Sequence, residues 1–171
     1  SLHAVLPWDF YFNGNPYTDI YMYEEGYVYV GSSWNKIAPC SNSNLDTNSG
    51  SSFIGYVVDE EEAVFQWSVY IYGDNSDRMD IFQLILYTNG DIQFVYDIME
   101  SNAAGESYLR SNDWPSDETA YQIDMVTGNP FDLEQTSYTM HPESVSAGAG
   151  MYISSMEGDV GLDATDSIVR N

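Results

Sequence analysis

The sequence is poor in positive charge. Its 171 residues contain 4 lysines and arginines against 27 aspartates and glutamates, which gives a net charge of −23. A negative field of this size repels phosphate groups, so nucleic acid is excluded as a natural partner, and contact with an anionic membrane surface is opposed. The same field attracts cations and keeps a protein soluble in salt. We therefore expect a protein of saline surroundings.

Cysteine and long apolar runs are also scarce. Cys40 is the only cysteine, so no intrachain disulfide can form and the chain is not a disulfide-stapled module. No histidine or basic residue adjoins Cys40 to lower the pKa of its thiol, which favours a packed side chain over a nucleophile. No apolar run approaches the roughly 18 residues of a membrane-spanning helix, so membrane insertion is not expected.

Motifs for catalysis are missing. The only histidines are His3 and His141, near opposite ends of the chain, and neither H-E-x-x-H nor G-x-S-x-G occurs. A pair of carboxylates at the separation needed for glycoside hydrolysis would arise by chance among 27 acidic residues. The sequence therefore predicts a protein that is not an enzyme.

Aromatic residues, in contrast, are abundant, with 15 tyrosines in the chain. They alternate with polar residues in short runs that Asn, Gly and Pro interrupt, a pattern typical of strands joined by tight turns. The predicted strands in the first half cover residues 4–12, 19–23, 26–31, 53–58 and 63–72, with an irregular loop at 32–52. Shorter strands are predicted at residues 121–126, 137–140, 151–154 and 160–162.

The clearest hairpin joins residues 79–87 to residues 91–98. Asn89-Gly90 lies between them, and this pair favours tight hairpin turns because it tolerates positive φ. We expect Phe82, Leu84 and Leu86 to share one face of their strand. Ile92, Phe94 and Tyr96 would lie on the same inner face or on an opposing one.

The fold predicted from these patterns is all-β. Many short strands with regular turns, and no convincing amphipathic helix, indicate an antiparallel β-sandwich of jelly-roll type with long loops. The length favours a single domain over residues 1–171, with residues 101–157 as an irregular or elaborated region.

Three segments in about the first hundred residues resemble one known family. They are residues 8–31 (WDFYFNGNPYTDIYMYEEGYVYVG), 37–46 (IAPCSNSNLD) and 82–96 (FQLILYTNGDIQFVY). In order and spacing they are similar to the nidogen-like domain, although Glu25 and Cys40 replace its usual Asn and aromatic residue. The resemblance implies an extracellular β-sandwich used in adhesion, matrix or surface layers. It implies no chemistry.

Calcium is the cofactor that the sequence best accommodates. Asp74, Asn75, Asp77 and Asp80 would place carboxylate and amide oxygens together on one turn, and hard cations prefer such ligands. The cluster does not match the D-x-[DN]-x-[DN]-G calcium loop. The alternative is a set of solvated turn carboxylates that bind nothing.

Two tryptophans in polar loops are candidates for ligand binding. Trp34 and Trp114 lie among polar residues, where an indole ring either stacks on a sugar or folds back to cover the core. Trp8 and Trp67 fall on predicted strands and should belong to the core.

The first strand is a candidate for self-assembly. Its apolar residues Leu2, Ala4, Leu6, Trp8 and Phe10 could pair with the sheet edge of a neighbouring subunit, since strand addition needs only an open edge. The alternative is an ordinary first strand. A net charge of −23 opposes polymerisation unless salt or calcium neutralises it.

These observations lead to one functional expectation and one alternative. We expect a secreted structural or adhesion module at the cell surface, including the case of a self-assembling subunit of a surface layer or filament. The alternative is a carbohydrate-binding module of a larger secreted protein. The expected partners are copies of the same chain, other surface proteins or glycans.

Overall fold

The computed structural model describes residues 1–12, 14–31, 35–48, 51–72, 78–100, 105–110, 134–143 and 152–160. Every regular element in these ranges is a strand. The strands are β1 (Leu2–Phe12), β2 (Asn15–Tyr23), β3 (Tyr27–Val30), β4 (Lys36–Ser41), β5 (Leu45–Asp46), β6 (Phe53–Val58), β7 (Glu62–Ile71), β8 (Met79–Tyr87), β9 (Ile92–Met99), β10 (Glu106–Arg110), β11 (Thr136–Glu143) and β12 (Tyr152–Val160). Within the described ranges, no helix is long and apolar enough to cross a membrane.

The strands form two sheets that pack face to face. Sheet A is five-stranded, in the order β1-β2-β3-β4-β10, and sheet B is seven-stranded, in the order β12-β11-β9-β8-β7-β5 with β6 also paired to β7. Every pairing is antiparallel. The predicted antiparallel β-sandwich is therefore confirmed.

One apolar core fills the space between the sheets. Its largest fully buried side chains are Trp67, Tyr96, Phe10, Phe12, Phe65, Phe82 and Phe94. The Trp67 ring stacks on the Phe82 ring at 5.2 Å, and its indole N–H donates to the Tyr23 carbonyl of sheet A at 2.7 Å. Burial of aromatic surface on this scale is the main force that holds two sheets together.

The predicted hairpin is present as β8 and β9. Leu84 pairs with Phe94 and Leu86 pairs with Ile92, so the apolar residues of both strands lie on the same inner face. Gly90 adopts a φ of 92° in the turn, and its amide donates to the Tyr87 carbonyl at 2.9 Å. The Asn-Gly sequence therefore specified the turn as expected.

The segment predicted to be an irregular loop contains strands, so that prediction was wrong, and the elaborated 101–157 region adds a strand that was not predicted. The 32–52 segment contains β4 and β5, and the 101–157 region contains β10 paired with β4. The buried stretch of β4 is short and includes Pro39, which lacks a backbone N–H and cannot donate a hydrogen bond to a neighbouring strand. Pro39 is tolerated because it lies where the pairing of β4 with β10 is irregular. The predicted strand at 121–126 lies outside the described residues.

The described chain ends in a single strand where two short ones were predicted. β12 runs continuously through Tyr152–Val160 and pairs with β11. Gly158, between the two predicted strands, lies within the paired register opposite Tyr138. Residues 161 and 162 lie outside the described ranges.

Candidate functional site

The outer face of sheet A presents a cluster of tyrosines. In β2 and β3, Ile20, Met22, Val28 and Val30 belong to the core. Because neighbouring side chains in a strand point to opposite faces, the alternate residues lie on the outer surface of the sheet. The outward tyrosines of β2 and β3, with Lys36 of β4 and Tyr108 of β10, form what we term the tyrosine face: Tyr21, Tyr23, Tyr27, Tyr29, Lys36 and Tyr108.

Strand pairing brings these tyrosines together. Tyr21 pairs with Tyr29 and Tyr23 pairs with Tyr27. The Tyr23 and Tyr27 rings stack with centroids 5.1 Å apart. The Tyr29 ring meets both at steep angles, 5.3 Å from Tyr23 and 5.2 Å from Tyr27. These separations are typical of favourable aromatic pairs, so the cluster is an ordered, mutually packed unit.

Lys36 sits within the cluster. Its Nζ lies 3.6 Å from the centroid of the Tyr27 ring and 5.1 Å from that of Tyr108. Both distances fall within the range of cation–π attraction. The Nζ also donates to the Ser41 hydroxyl at 3.3 Å. The only lysine of the chain is thus held by aromatic rings at this face.

Carboxylates flank the tyrosines. The β2–β3 turn places Glu24 and Glu25 between Tyr23 and Tyr27, and both glutamates are half-buried. The Glu24 carboxylate accepts a hydrogen bond of 2.7 Å from the Thr47 hydroxyl. Burial, helped by Tyr29 and the negative charge of Glu25, raises the pKa of the Tyr27 hydroxyl. The tyrosine therefore stays neutral over the physiological range in a negative local potential.

At the β1 end of the face, His3 contacts both an aromatic ring and a carboxylate. The His3 ring stacks on the Tyr21 ring at 4.5 Å, with an angle of 7° between the planes. Its Nε2 lies 2.8 Å from the Asp19 carboxylate. Histidine extends the row of rings across the sheet, because His3 pairs with Tyr21 and Tyr21 pairs with Tyr29.

Two glycines next to this face adopt backbone conformations that other residues would not tolerate. Gly26 ends the β2–β3 turn with a φ of 82°, and a Cβ there would lie 1.9 Å from the Cys40 carbonyl oxygen. Gly31 ends β3 with a φ of 66°, and a Cβ there would lie 2.2 Å from the Tyr17 ring. Positive φ and close approach both require glycine. These residues explain the two glycines of the G-Y-V-Y-V-G segment.

The geometry decides what the tyrosine face can bind. Sugars stack on the exposed flat side of an aromatic ring, whereas the Tyr23 and Tyr27 rings stack on each other and the Tyr29 ring meets both at steep angles. Ring π-systems and nearby carboxylates both attract positive charge. The face is therefore best suited to cations.

The predicted calcium ligands fall mostly outside the described residues. Asp74, Asn75 and Asp77 lie there, so their arrangement stays a prediction. Asp80 is 1% exposed and lies on the inward side of β8 with Phe82, not on a solvated turn. Its charge adds to burial in raising the pKa of the Cys40 thiol. In the described ranges, no group of three or more His, Cys, Asp or Glu could hold a metal ion.

The tryptophan predictions have mixed outcomes. Trp34 and Trp114 lie outside the described residues, so their proposed role in sugar binding stays a prediction. Trp67 is fully buried as expected. Trp8 is half-buried against the core, and its indole N–H donates to the Asp59 carbonyl at 3.0 Å.

The first strand lies at an edge of sheet A, as strand addition requires. The side chains of Ala4, Leu6 and Phe10 are buried in the core, and Leu2 and Trp8 pack against it. A partner would therefore meet the alternate residues, of which Val5 is 60% and Tyr11 57% exposed. The assembly prediction stays open.

Cys40 and its surroundings match the packed, unreactive interpretation. The side chain is buried, and burial raises the pKa of its thiol far above the usual range. A Cβ on Gly105 would lie 2.4 Å from the Cys40 Sγ, so the sulfur is closely covered. Thiolate chemistry at neutral pH is strongly disfavoured in such a site.

Comparisons with known proteins add no relative. No protein-family model matches the chain, and no curated protein and no solved structure matches it significantly. The resemblance to nidogen-like domains therefore stays an expectation from the sequence.

The tyrosine face was missed at the sequence level, although its signal is present. In D-I-Y-M-Y and Y-V-Y-V the tyrosines share one parity and apolar residues the other, which predicts a tyrosine-bearing outer face on each strand. What the alternation could not supply is the register that sets Tyr23 opposite Tyr27. That register depends on the geometry of the turn at Gly26.

Proposed function

We propose that this chain is an extracellular adhesion module whose contact surface is the tyrosine face. The observation that carries the proposal is a contiguous set of tyrosines on the outward side of a sheet, of which Tyr21, Tyr23, Tyr27 and Tyr29 are half-buried. Tyrosine is enriched in protein-binding surfaces because a large, stiff, amphipathic ring loses little entropy when it makes contact. A sheet also holds such residues more rigidly than loops do.

Two features of the sequence support an extracellular setting. The segments that resemble nidogen-like domains imply an extracellular β-sandwich, and the net charge of −23 favours solubility in a saline medium. The strand ladder gives the module a framework that needs no disulfide, consistent with its single cysteine. Adhesion requires no reactive group, which agrees with the missing catalytic motifs.

Retention of protein-coated beads tests the proposal. Beads carrying the chain would be passed over surfaces coated with a basic protein, an acidic protein, a neutral polysaccharide or the chain itself. We expect retention on at least one coat, and a loss of about tenfold for the double variant Tyr23→Thr/Tyr29→Thr, because threonine keeps strand propensity but removes the ring.

The matched control replaces tyrosines outside the face. Tyr72 is 76% exposed and Tyr11 57% exposed, so Tyr11→Thr/Tyr72→Thr removes the same number of rings elsewhere. The control variant should be retained like the unmodified chain, with circular dichroism showing that each variant is folded. Equal retention of both double variants on every coat would reject the tyrosine face as the contact surface.

Self-assembly through β1 is a second candidate, favoured by the position of β1 at a sheet edge. Several features oppose it. The pairing of β1 with β2 is irregular between Val5 and Phe10, and this stretch contains Pro7, which lacks an amide donor. The His3 carbonyl already accepts a 2.8 Å hydrogen bond from the Tyr56 hydroxyl. Bulges, prolines and covering contacts are common protections of sheet edges.

Light scattering after size exclusion tests this candidate. The chain would be run in saline with millimolar calcium and again after chelation, beside a Val5→Lys variant that adds charge to the exposed edge. Assemblies that Val5→Lys abolishes would support strand pairing, and assemblies lost on chelation would support calcium bridging. A particle of 19.3 kDa in every condition would reject self-assembly by this chain.

A further inference from the structure

We infer that the partner of the tyrosine face is a cationic polypeptide segment rich in arginine or lysine. This inference rests on the proposed function, because it names the partner class of the same surface. Charge complementarity, ring geometry and the lysine that the face already holds all favour this partner.

The face already accommodates a cationic side chain. Lys36 Nζ lies 3.6 Å from the Tyr27 ring centroid and within 5.1 Å of the Tyr108 ring centroid. On the β1 side of this lysine, the Tyr21 ring stacks on the His3 imidazole, and the Tyr23 and Tyr29 rings have no lysine or arginine cation over them in the described part of the chain. Aromatic clusters of this kind bind guanidinium and ammonium groups by cation–π attraction.

The charges around the face favour a cation over other ligands. Glu24 and Glu25 adjoin Tyr23 and Tyr27 directly in the chain, and Asp19 lies beside His3 at the β1 end. The Glu25 charge acts on the Tyr27 hydroxyl, so a guanidinium at these rings would also be attracted by that carboxylate. The net charge of −23 adds long-range attraction for a basic segment.

The same features disfavour the other ligand classes. An acidic polymer would meet the repulsion of the whole chain and of Glu24 and Glu25. A neutral sugar would gain nothing from the negative charge of Glu25 beside Tyr27 or from the net charge of −23. An extended basic peptide instead meets tyrosine rings with the carboxylates of Asp19 and Glu25 beside them.

Binding of a fluorescent deca-arginine peptide tests the inference, with deca-glutamate and a glycine-serine peptide of equal length as comparison probes. Fluorescence anisotropy would be measured in 0.15 M and 0.5 M sodium chloride, since any polycation binds an acidic protein weakly at low salt. We expect binding of deca-arginine alone, and weakening by about tenfold in Tyr23→Thr/Tyr29→Thr but by less than about twofold in Tyr11→Thr/Tyr72→Thr.

A charge-matched pair of variants separates the site from general attraction. Glu24→Gln/Glu25→Gln removes two charges beside the tyrosines, and Glu60→Gln/Glu61→Gln removes two exposed charges in the β6–β7 turn of sheet B. The first should weaken deca-arginine binding about fivefold and the second less than twofold. Equal weakening by the two would overturn the inference, because it would show attraction to the overall charge only.

The outcomes distinguish this inference from the proposed function. If Tyr23→Thr/Tyr29→Thr abolishes bead retention on an acidic or neutral coat while deca-arginine binding is unaffected, the adhesion proposal stands and the cationic partner is wrong. If this variant changes neither bead retention nor peptide binding, both are wrong. Loss of retention on the basic coat together with loss of peptide binding would support both.

Discussion

The Tyr96 hydroxyl lies 2.6 Å from the Pro39 carbonyl oxygen, a hydrogen bond that crosses the core from β9 of sheet B to β4 of sheet A. The Ser107 hydroxyl of β10 lies 2.8 Å from the Tyr96 hydroxyl and also donates to the Pro39 carbonyl. Three strands of two sheets thus meet at one buried polar point. Burial raises the pKa of the Tyr96 hydroxyl, so it stays a donor.

Replacing Tyr96 by phenylalanine should destabilise the fold. The change removes the hydroxyl but keeps the ring in the core, and Ser107 still satisfies the Pro39 carbonyl. We expect the free energy of unfolding to fall by about 1 kcal/mol, the usual net contribution of one buried hydrogen bond. Urea unfolding measures the change. Tyr72→Phe removes a hydroxyl from an exposed ring and should leave stability unchanged; an equal loss in both variants would contradict the role of the bond.

Gly26 and Gly14 form a matched pair for a second prediction. Both have positive φ, 82° and 77°, but a Cβ on Gly26 would collide with the Cys40 carbonyl whereas one on Gly14 would meet open space. Gly14→Ala should therefore cost only the backbone penalty of about 1 kcal/mol. Gly26→Ala should cost more than about 3 kcal/mol or prevent folding, since the backbone of β4 must move. Similar thermal unfolding temperatures for the two variants would contradict this account.

Local patterns predicted the strands that a few consecutive residues are enough to specify. The β8–β9 hairpin has both apolar alternation and an Asn-Gly turn, and the strand through Trp67 has an unbroken alternation that marks a central position. In contrast, β10 pairs with β4, a strand far away in the sequence. Leu109 pairs with Ile37, which lies 72 positions earlier. No local pattern specifies such a distant pairing.

The candidate site was hard to predict for a related reason. Sequence reasoning selected tryptophans in loops and acidic clusters in turns, since these are conspicuous one at a time. The tyrosine face exists only when three registers, β2 with β3, β3 with β4 and β4 with β10, bring side chains of separate strands together. Its chemistry comes from that juxtaposition, and no single residue in it is unusual.

Alkaline pH should destabilise the fold through Cys40. Burial raises the pKa of the folded thiol far above the value of about 8.5 of an unfolded cysteine. Below pH 8.5 the neutral thiol stabilises the fold to its full extent. As pH rises above 8.5, the free energy of unfolding falls by about 1.4 kcal/mol per pH unit. Between pH 8.5 and 10, urea unfolding should show this slope in the unmodified chain and a much weaker one in Cys40→Ala. Tyrosines contribute only above about pH 10.

Reactivity of the same thiol gives an independent check. Since Cys40 is the only cysteine, a disulfide reagent that detects thiols reports on it alone. The folded protein at pH 8 should react at least about a hundredfold more slowly than the protein in denaturant, because the buried thiol is neither exposed nor ionised. Fast reaction of the folded chain would contradict the placement of Cys40 in the core.

Lys36 gives the sharpest test of what the tyrosine face recognises. Its ammonium group occupies the face of the Tyr27 ring and repels any incoming cation. Lys36→Gln should therefore strengthen deca-arginine binding about threefold to tenfold, by vacating the ring and removing a like charge, while the lost cation–π contact lowers stability by about 0.5–1 kcal/mol. An anion-binding face would instead lose affinity for deca-glutamate in this variant, since Lys36 would be its ligand. Weaker deca-arginine binding by a folded Lys36→Gln variant would contradict recognition of cations by the rings, because removal of a like charge favours a polycation bound at this face.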